Sequence, residues 1–525
     1  MKLKLIAVVF SLIFNYCMGY NILLATMGGT KSHTIPFVAL GTALRIRGHN
    51  VTLMSAFPGP AANNGLRELV PTRLESYVGN YTSEWDLIGS RFRNELPLSP
   101  WNAMRYGWES CEALLLDESS IAAIKRPDAS ANNISTINWD VAVLDGAFPE
   151  CLLGILYHEN VPTMLLNTVA LYSGSISRQG NPSPWSLIPY FGKDFTQDMN
   201  FFQRLTNVAC LSIVGIMHWI MTTGYIQPTL RKYLGDDVPD VRELISEVPV
   251  TLQNSHYSVA EPLPYLANVV NVACLHCRPP MALSPDLELF LRGGFVFVSM
   301  GSSVRASGMP DALRETFIAV FSTLPYNVIW KWEGGVIENL PSNVRTGAWW
   351  PQQELLGHGQ LRAFVSHGGL LSLHEAAYHA APTLVLPIFC DHDGNAAQAA
   401  KLGYALVMNL ASLSINNLRE GILTVAMQLN NPYKEAARRQ SALLKDQPLG
   451  SKELATWWVE HVARHQGAEH LKSTTRFMGV LHYYSIDVFA FYATAILLLV
   501  QTFRKVSLRT SALRKQVSMK IQKND

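Results

Sequence analysis

Between Trp349 and Asn395 the chain sets out, in order, parts that could hold a flat base joined through a pyrophosphate to a sugar. Trp349 offers a plate for stacking, and Gln352 an amide that can read the edge of a base. Ala363-Phe-Val-Ser-His367-Gly-Gly369 reads as a strand ending in a glycine turn, and Ser372 puts a hydroxyl at the start of the following helix. Backbone N–H groups at a helix N-terminus cradle phosphate oxygens. His374-Glu375 and the run Asp391-His392-Asp393 add acids, the latter at the end of the next strand. His367 alone would read as a packed or capping histidine; its position in this series singles it out.

These side chains need elements to position them, and two sets are legible. Asn21–Thr26 reads as a buried strand, Gly28-Gly29-Thr30 as a turn, Thr34–Arg47 as a helix closed by Gly48, and Asn50–Ser55 as the next strand. A strand at Asp140–Leu144, then Asp145, a helix opening near Pro149 and a strand at Val161–Leu166 continue the alternation. After the proline-dotted stretch Glu261 to Pro280 the pattern restarts: strand Phe295–Met300, turn Gly301-Ser302-Ser303, and a helix from about Pro310. Strands at Asn327–Trp332, Leu361–Ser366 and Thr383–Leu386 alternate with helices near Gln352–Gly357, Ser372–His379 and Asn395–Leu402. Two doubly wound α/β domains are predicted, with ligands at the carboxyl ends of both sheets.

The stretch from Trp349 to Asn395 closely resembles the signature of the UDP-glycosyltransferase superfamily, in its animal membrane-bound branch that includes UDP-glucuronosyl- and UDP-glucosyltransferases. Weaker likeness runs from Asn21 through the terminal apolar helix. The resemblance implies a GT-B fold of two facing Rossmann-like domains, the acceptor domain at 20–278 and the donor domain at 279–450. It implies that Trp349 stacks on uracil, Gln352 contacts the base and Glu375 binds the ribose. Ser302, His367, Gly369 and Ser372 would hold the diphosphate, and Asp391 and His392 the sugar, with Trp350 in the core. It also marks His33 as the catalytic base and Asp145 as the acid that orients it. The chemistry agrees, since an acceptor hydroxyl is a poor nucleophile until a neutral imidazole takes its proton. The positive end of the helix that His33 opens is expected to keep the ring unprotonated.

The implied function is transfer of a hexose, glucose first, from a UDP-sugar to a small lipophilic acceptor, with no cofactor and no metal. A glucuronosyltransferase of the same mechanism, or a non-catalytic sugar-nucleotide-binding accessory subunit, are the alternatives; the presence of both His33 and Asp145 favours an enzyme. Resembling glucuronosyltransferases carry an arginine for the sugar carboxylate where this chain has Leu263, between Pro262 and Pro264. His392 stands where most of the family has glutamine. A dehydrogenase is excluded, because Gly357-His-Gly359 is followed by Arg362 where the dinucleotide fingerprint needs a third glycine. A metal-dependent transferase would use paired acids such as Asp391 and Asp393. Phe57, Trp85, Trp101 and Trp108 suggest an apolar, aromatic-lined acceptor pocket.

Lys2 and Lys4 precede an apolar run from Leu5 to Phe14, too short to span a bilayer, so residues 1–19 read as a cleaved signal peptide. Residues 451–482 read as a helical segment and 483–503 as one transmembrane helix. In the tail, 504–525, seven lysines and arginines face one acid, Asp525. The positive-inside rule then puts the tail in the cytosol and the body in the lumen: a single-pass type I protein, assigned to the endoplasmic reticulum membrane by resemblance. The net charge of +2 hides an asymmetry, with +2 in the signal, +6 in the tail and −6 in the remainder, so nothing in the body suggests nucleic acid. Self-association as a homo-oligomer is compatible with the sequence. Asn50, Asn80 and Asn133 begin glycosylation triplets. Cys274 and Cys277 form a lone CxxC, and a zinc site would need a second pair. The cysteine spacing leaves disulfide connectivity open.

Overall fold

The computed structural model describes residues 19–125, 138–168, 173–272 and 274–522. The chain divides into a body, Met1–Lys472, and a terminal unit, Ser473–Asp525. The expected signal peptide lies, but for Gly19, outside the described residues.

Among the described residues the body holds two parallel sheets of seven and six strands. The first contains β1 (Asn21–Ala25), β2 (Asn50–Met54), β3 (Arg67–Leu69), β4 (Val141–Asp145), β5 (Thr163–Asn167), β6 (Thr251–Gln253) and β7 (Val269–Asn271). Its order is β3-β2-β1-β4-β5-β6-β7. The second contains β8 (Phe295–Ser299), β9 (Asn327–Lys331), β10 (Val344–Gly347), β11 (Leu361–Ser366), β12 (Thr383–Val385) and β13 (Ala405–Val407), in the order β10-β9-β8-β11-β12-β13. The central strands are apolar nearly throughout: all five residues of β4 and of β8 are buried, as expected where helices cover both faces of a parallel sheet. Each order reverses at one pair of neighbours, β1 with β4 and β8 with β11. The crevice at such a reversal is where open α/β sheets bind ligands.

Two helices cross between the halves. Ser451–Arg464 buries Ala455, Val459 and Val462 against Leu24, Phe37 and Val143 of the first half. Its Glu460 accepts from Arg47 at 2.8 Å and meets His49 at 3.0 Å. The segment predicted only as helical thus covers the sheet that carries β1. In the other direction Leu87–Phe92 inserts Leu87 and Ile88 into the core of the second half, beside Val304, Met309 and Leu410.

In the terminal unit Ile486–Ile521 is one helix, a candidate membrane span by length and apolarity. The predicted span, 483–503, lies inside it from Ile486 onward, its first three residues preceding the helix, and the basic residues through Lys520 continue the same helix.

Candidate active site

His33 ends a short 3₁₀ turn, Lys31–His33, and caps the helix Thr34–Ile46 that follows β1. Its Nδ1 lies 2.6 Å from Oδ2 of Asp145, the last residue of β4. The reversal of strand order makes β1 and β4 neighbours, so residues 112 apart in sequence meet. Gly28 allows the approach: a Cβ there would sit 2.4 Å from Cγ and Nδ1 of His33. Asp145 is 1% exposed and its carboxylate is saturated. Oδ2 also accepts from Thr26 Oγ1 at 2.8 Å, and Oδ1 from Thr168 Oγ1 and from the backbone N–H of Ala147, each at 3.1 Å. Thr168 Oγ1 lies 2.8 Å from His33 Nδ1 as well. With Nδ1–H donated to the carboxylate, Nε2 is left to accept a proton.

Burial acts most strongly on the His33 pKa and lowers it, but the Asp145 charge and hydrogen bond, with Asp391 adding from the second half, leave it raised. The helix start thus does not lower the pKa of this ring, as was expected of it. A partial charge of about half a unit at a helix end is outweighed by a full carboxylate charge in contact.

The second crevice gathers the predicted donor residues. Ser302 lies in the turn after β8, and His367 directly follows β11. Gly301 and Gly369 both leave room for the His367 ring, since a Cβ on either would lie 2.4 Å from it. Gly369 caps the helix Leu370–Tyr378, which carries Ser372 and Glu375. Gln352 Nε2 donates to Ser372 Oγ at 3.2 Å and to Glu375 Oε2 at 2.5 Å, linking three of the predicted residues into one polar edge. Trp349 is 66% exposed, while Trp350 is part-buried and donates from Nε1 to Trp330 O.

His367 Nδ1 is buried without a hydrogen-bond partner among the described residues. Burial and then the neighbouring Lys331 hold its pKa down to about 3, so the ring is neutral. Its ring meets that of His392 edge-on at 4.7 Å. Asp391 caps the helix His392–Lys401, and its Oδ2 accepts from Asn395 at 2.8 Å; burial raises its pKa. His392 is held well below its ordinary value by burial, then by His367 and Arg91. Its Nδ1 accepts weakly from the Phe389 N–H at 3.4 Å, which leaves the proton on Nε2.

Sequence reading missed four residues here. Lys331, at the end of β9 and 7% exposed, donates to Gly301 O at 2.8 Å, pairs with Glu333 and lies 5.8 Å from the Trp349 ring centre. Lys31, from the first half, lies 5.7 Å from the same ring. Arg91 on the inserted helix binds Asp393 at 2.5 Å, and Thr168 completes the His33 pair. A lysine closing a predicted strand beside a glycine turn was the available signal for Lys331. Of the aromatic residues expected at the acceptor, Trp101 packs edge-on against Trp108, which stacks on Tyr225 at 4.2 Å, whereas Trp85 reaches Phe389 of the second half. Leu263 lines a cavity of about 160 Å³ together with His374, Gly394, Asn395 and Gln398.

The model of the family "UDP-glucoronosyl and UDP-glucosyl transferase" matches residues 47–523. The chain belongs to this family. UDP-glucosyltransferase 2 of Dactylopius coccus is 28% identical over 498 residues, which cover 93% of this chain and 92% of that one. UDP-glucuronosyltransferase 2A1 of Mus musculus is 27% identical over 510 residues, 92% of each chain. The solved structure of the glycotransferase of kitacinnamycin superposes with a TM-score of 0.57 at 16% identity, covering 86% of this chain and 99% of that one. This UDP-glycosyltransferase is thus an enzyme of GT-B fold that takes a UDP-sugar as donor.

Among the described residues, the four cysteines other than Cys210 and Cys390 pair as Cys111–Cys151 and Cys274–Cys277, so the lone CxxC is a disulfide rather than half of a zinc site. Asn50 opens β2 and Asn80 lies within the helix Thr72–Ser83, both exposed; Asn133 falls outside the described residues.

Proposed function

We propose that this UDP-glycosyltransferase moves a neutral hexose, glucose before galactose and glucuronate third, onto the hydroxyl of a small lipophilic acceptor. The observation that carries the mechanism is the 2.6 Å contact of His33 Nδ1 with buried Asp145. Nε2 takes the acceptor proton as the acceptor oxygen forms its bond to the anomeric carbon and the bond to the UDP oxygen breaks. A single displacement inverts the anomeric centre. Asp145 stabilises the imidazolium so formed, and the raised His33 pKa fits a base made more avid for that proton. The negative charge that develops on departing UDP would be met by the helix start at Gly369 and by Lys331 beside His367.

In this reading Trp349 stacks on uracil, Gln352 reads its edge, Glu375 holds the ribose, Ser302, His367, Gly369 and Ser372 hold the diphosphate, and Asp391 and His392 hold the sugar. No metal is required, because Asp393 is engaged by Arg91 and Asp391 by Asn395 instead of facing a common cation. Undiminished activity through a chelator titration is expected.

Two features support a neutral sugar. Leu263 lines the cavity beside Asn395 and supplies no cation for a glucuronate carboxylate. His392 offers one N–H donor where glutamine offers two. Competition among equal concentrations of the three UDP-sugars tests the order: dominant glucuronate transfer overturns it. If His392→Gln leaves the glucose-to-galactose ratio unchanged, that residue does not read the sugar.

The body is proposed to lie in the lumen of the endoplasmic reticulum with the tail cytosolic, supported by the Cys111–Cys151 disulfide and the basic tail. In sealed microsomes, added protease should remove a tag placed after Asp525 and spare the body. Retention by the tail has weaker support, since Lys523 is preceded by Gln522 and Ile521 and not by a second lysine.

A further inference from the structure

The turn that carries Asp391 and His392, the two residues read as sugar ligands, is gripped on both flanks by side chains of the first half. Both come from residues 85–92, the segment that sends Leu87 and Ile88 into the second core. On one flank Trp85 packs against Phe389, ring centres 5.9 Å apart. Phe389 in turn meets the His392 ring edge-on at 4.9 Å, and its N–H reaches His392 Nδ1. On the other flank Arg91 binds Asp393, the residue after His392, at 2.5 Å.

The turn needs such support. Cys390 has a φ of 58°, in the left-handed region that a residue with a Cβ seldom occupies, and a conformation of that kind persists where its surroundings over-determine it. Asn395, in the same half, holds the Asp391 carboxylate. His392 is placed mainly by packing, between Phe389 and His367, with one long hydrogen bond of 3.4 Å. Arg91 also adds, after burial and His367, to what keeps this ring neutral, with a single N–H to offer. Glucose and galactose differ in the direction of one hydroxyl, so telling them apart depends on where one donor and one acceptor point. A ring free to swing would satisfy either.

We propose that residues 85–92 of the first half are a determinant of donor-sugar choice. Arg91, through Asp393, and Trp85, through Phe389, are positioning residues that fix the aim of His392 and Asp391. This rests on reading those two residues as sugar ligands. The residues assigned to uracil, ribose and diphosphate belong to the second half, so the clamp acts on the sugar and leaves the rest of the donor alone. Sugar preference therefore does not travel with residues 279–450 by themselves.

The full chain, purified in detergent, tests this without an acceptor. Calorimetry gives Kd for UDP and for UDP-glucose, UDP-galactose and UDP-glucuronate, and selectivity is the ratio between the two tightest UDP-sugars. Arg91→Met should lower that ratio by about three- to tenfold, by weakening the preferred UDP-sugar, with the Kd for UDP unchanged. Arg91→Lys should keep most of the ratio, and Arg91→Asp combined with Asp393→Arg should restore it. Trp85→Leu, acting from the other flank, should lower it as well. An unchanged ratio in both Arg91→Met and Trp85→Leu overturns the proposal. Weaker UDP binding in both assigns the segment to bracing the whole second half and overturns it equally, as does a wild-type chain that binds all three UDP-sugars alike. His392→Gln separates the clamp from the reading beneath it. A ratio that responds to His392→Gln but to neither clamp variant refutes the clamp alone, and one that responds to none of the three refutes both. A ratio that responds to Arg91→Met but not to His392→Gln removes His392 from the sugar and supports a clamp acting through Asp391.

Discussion

Beside the β1–β4 crevice, His33 shares Nδ1 with a saturated buried carboxylate and its pKa rises; beside the β8–β11 crevice, His367 faces Lys331, keeps Nδ1 unpartnered and falls to about 3. Both rings sit where a glycine has cleared space, Gly28 in one sheet and Gly301 in the other. Strand order and ring are the same, so the difference lies in the neighbouring charge. A carboxylate overcomes burial at one histidine and makes it a proton acceptor, whereas burial, reinforced by an ammonium, keeps the other neutral, free to meet an anionic ligand through a hydrogen bond without titrating near neutral pH.

The comparison breaks most visibly at His33. His33→Ala should lower kcat by about two to four orders of magnitude while the Kd for UDP, measured by calorimetry, stays within error. If UDP binding falls instead, both histidines are donor ligands and the division of labour is wrong. His367→Ala should do the opposite. Loss of a hydrogen bond to a charged group costs about 1.5–3 kcal/mol, or roughly ten- to a hundredfold in UDP affinity, and unchanged UDP binding would remove His367 from the donor site.

The pH profile sharpens the same contrast. A base must be unprotonated, so activity should fall as pH drops through the His33 pKa, with the midpoint of the acidic limb in kcat above the ordinary 6.5. Asp145→Asn removes the charge that raises this pKa, so the limb should move to lower pH as the plateau falls. A limb that stays in place would mean another group titrates. The smallest effect is expected at Thr168, a positioning residue. Thr168→Val should cost about 1 kcal/mol, a few-fold in kcat, with KM for the donor unchanged and a small displacement of the same limb.

Central strands and the donor run were legible because each is local: β11, Gly368-Gly369 and Ser372 lie within a dozen positions, and burial on both faces writes β4 and β8 as unbroken apolar runs. The short strands β3, β6, β7, β10 and β13 are three or four residues long, too few for a period to emerge. Thr168 lies 135 positions from the ring it contacts, and Arg91 sits 302 from Asp393, on a six-residue helix whose insertion into the other half has no sequence period. The direction of the His33 shift was misjudged for a related reason. The helix end adjoins it in sequence and was visible, whereas the contact that outweighs it exists only once β1 and β4 are neighbours.

The helix Ser451–Arg464 has a consequence for synthesis. It supplies Ala455, Val459 and Val462 to the core beneath the β1–β4 crevice, yet it is translated after every strand of both sheets. A chain growing at about 5–20 residues per second therefore holds an uncovered sheet face throughout translation of the second half. That face includes Leu24, Val143 and Leu166, an apolar surface on which chaperones would bind. A stop codon placed before Ser451 would leave every residue of the proposed site encoded and the first domain unfinished.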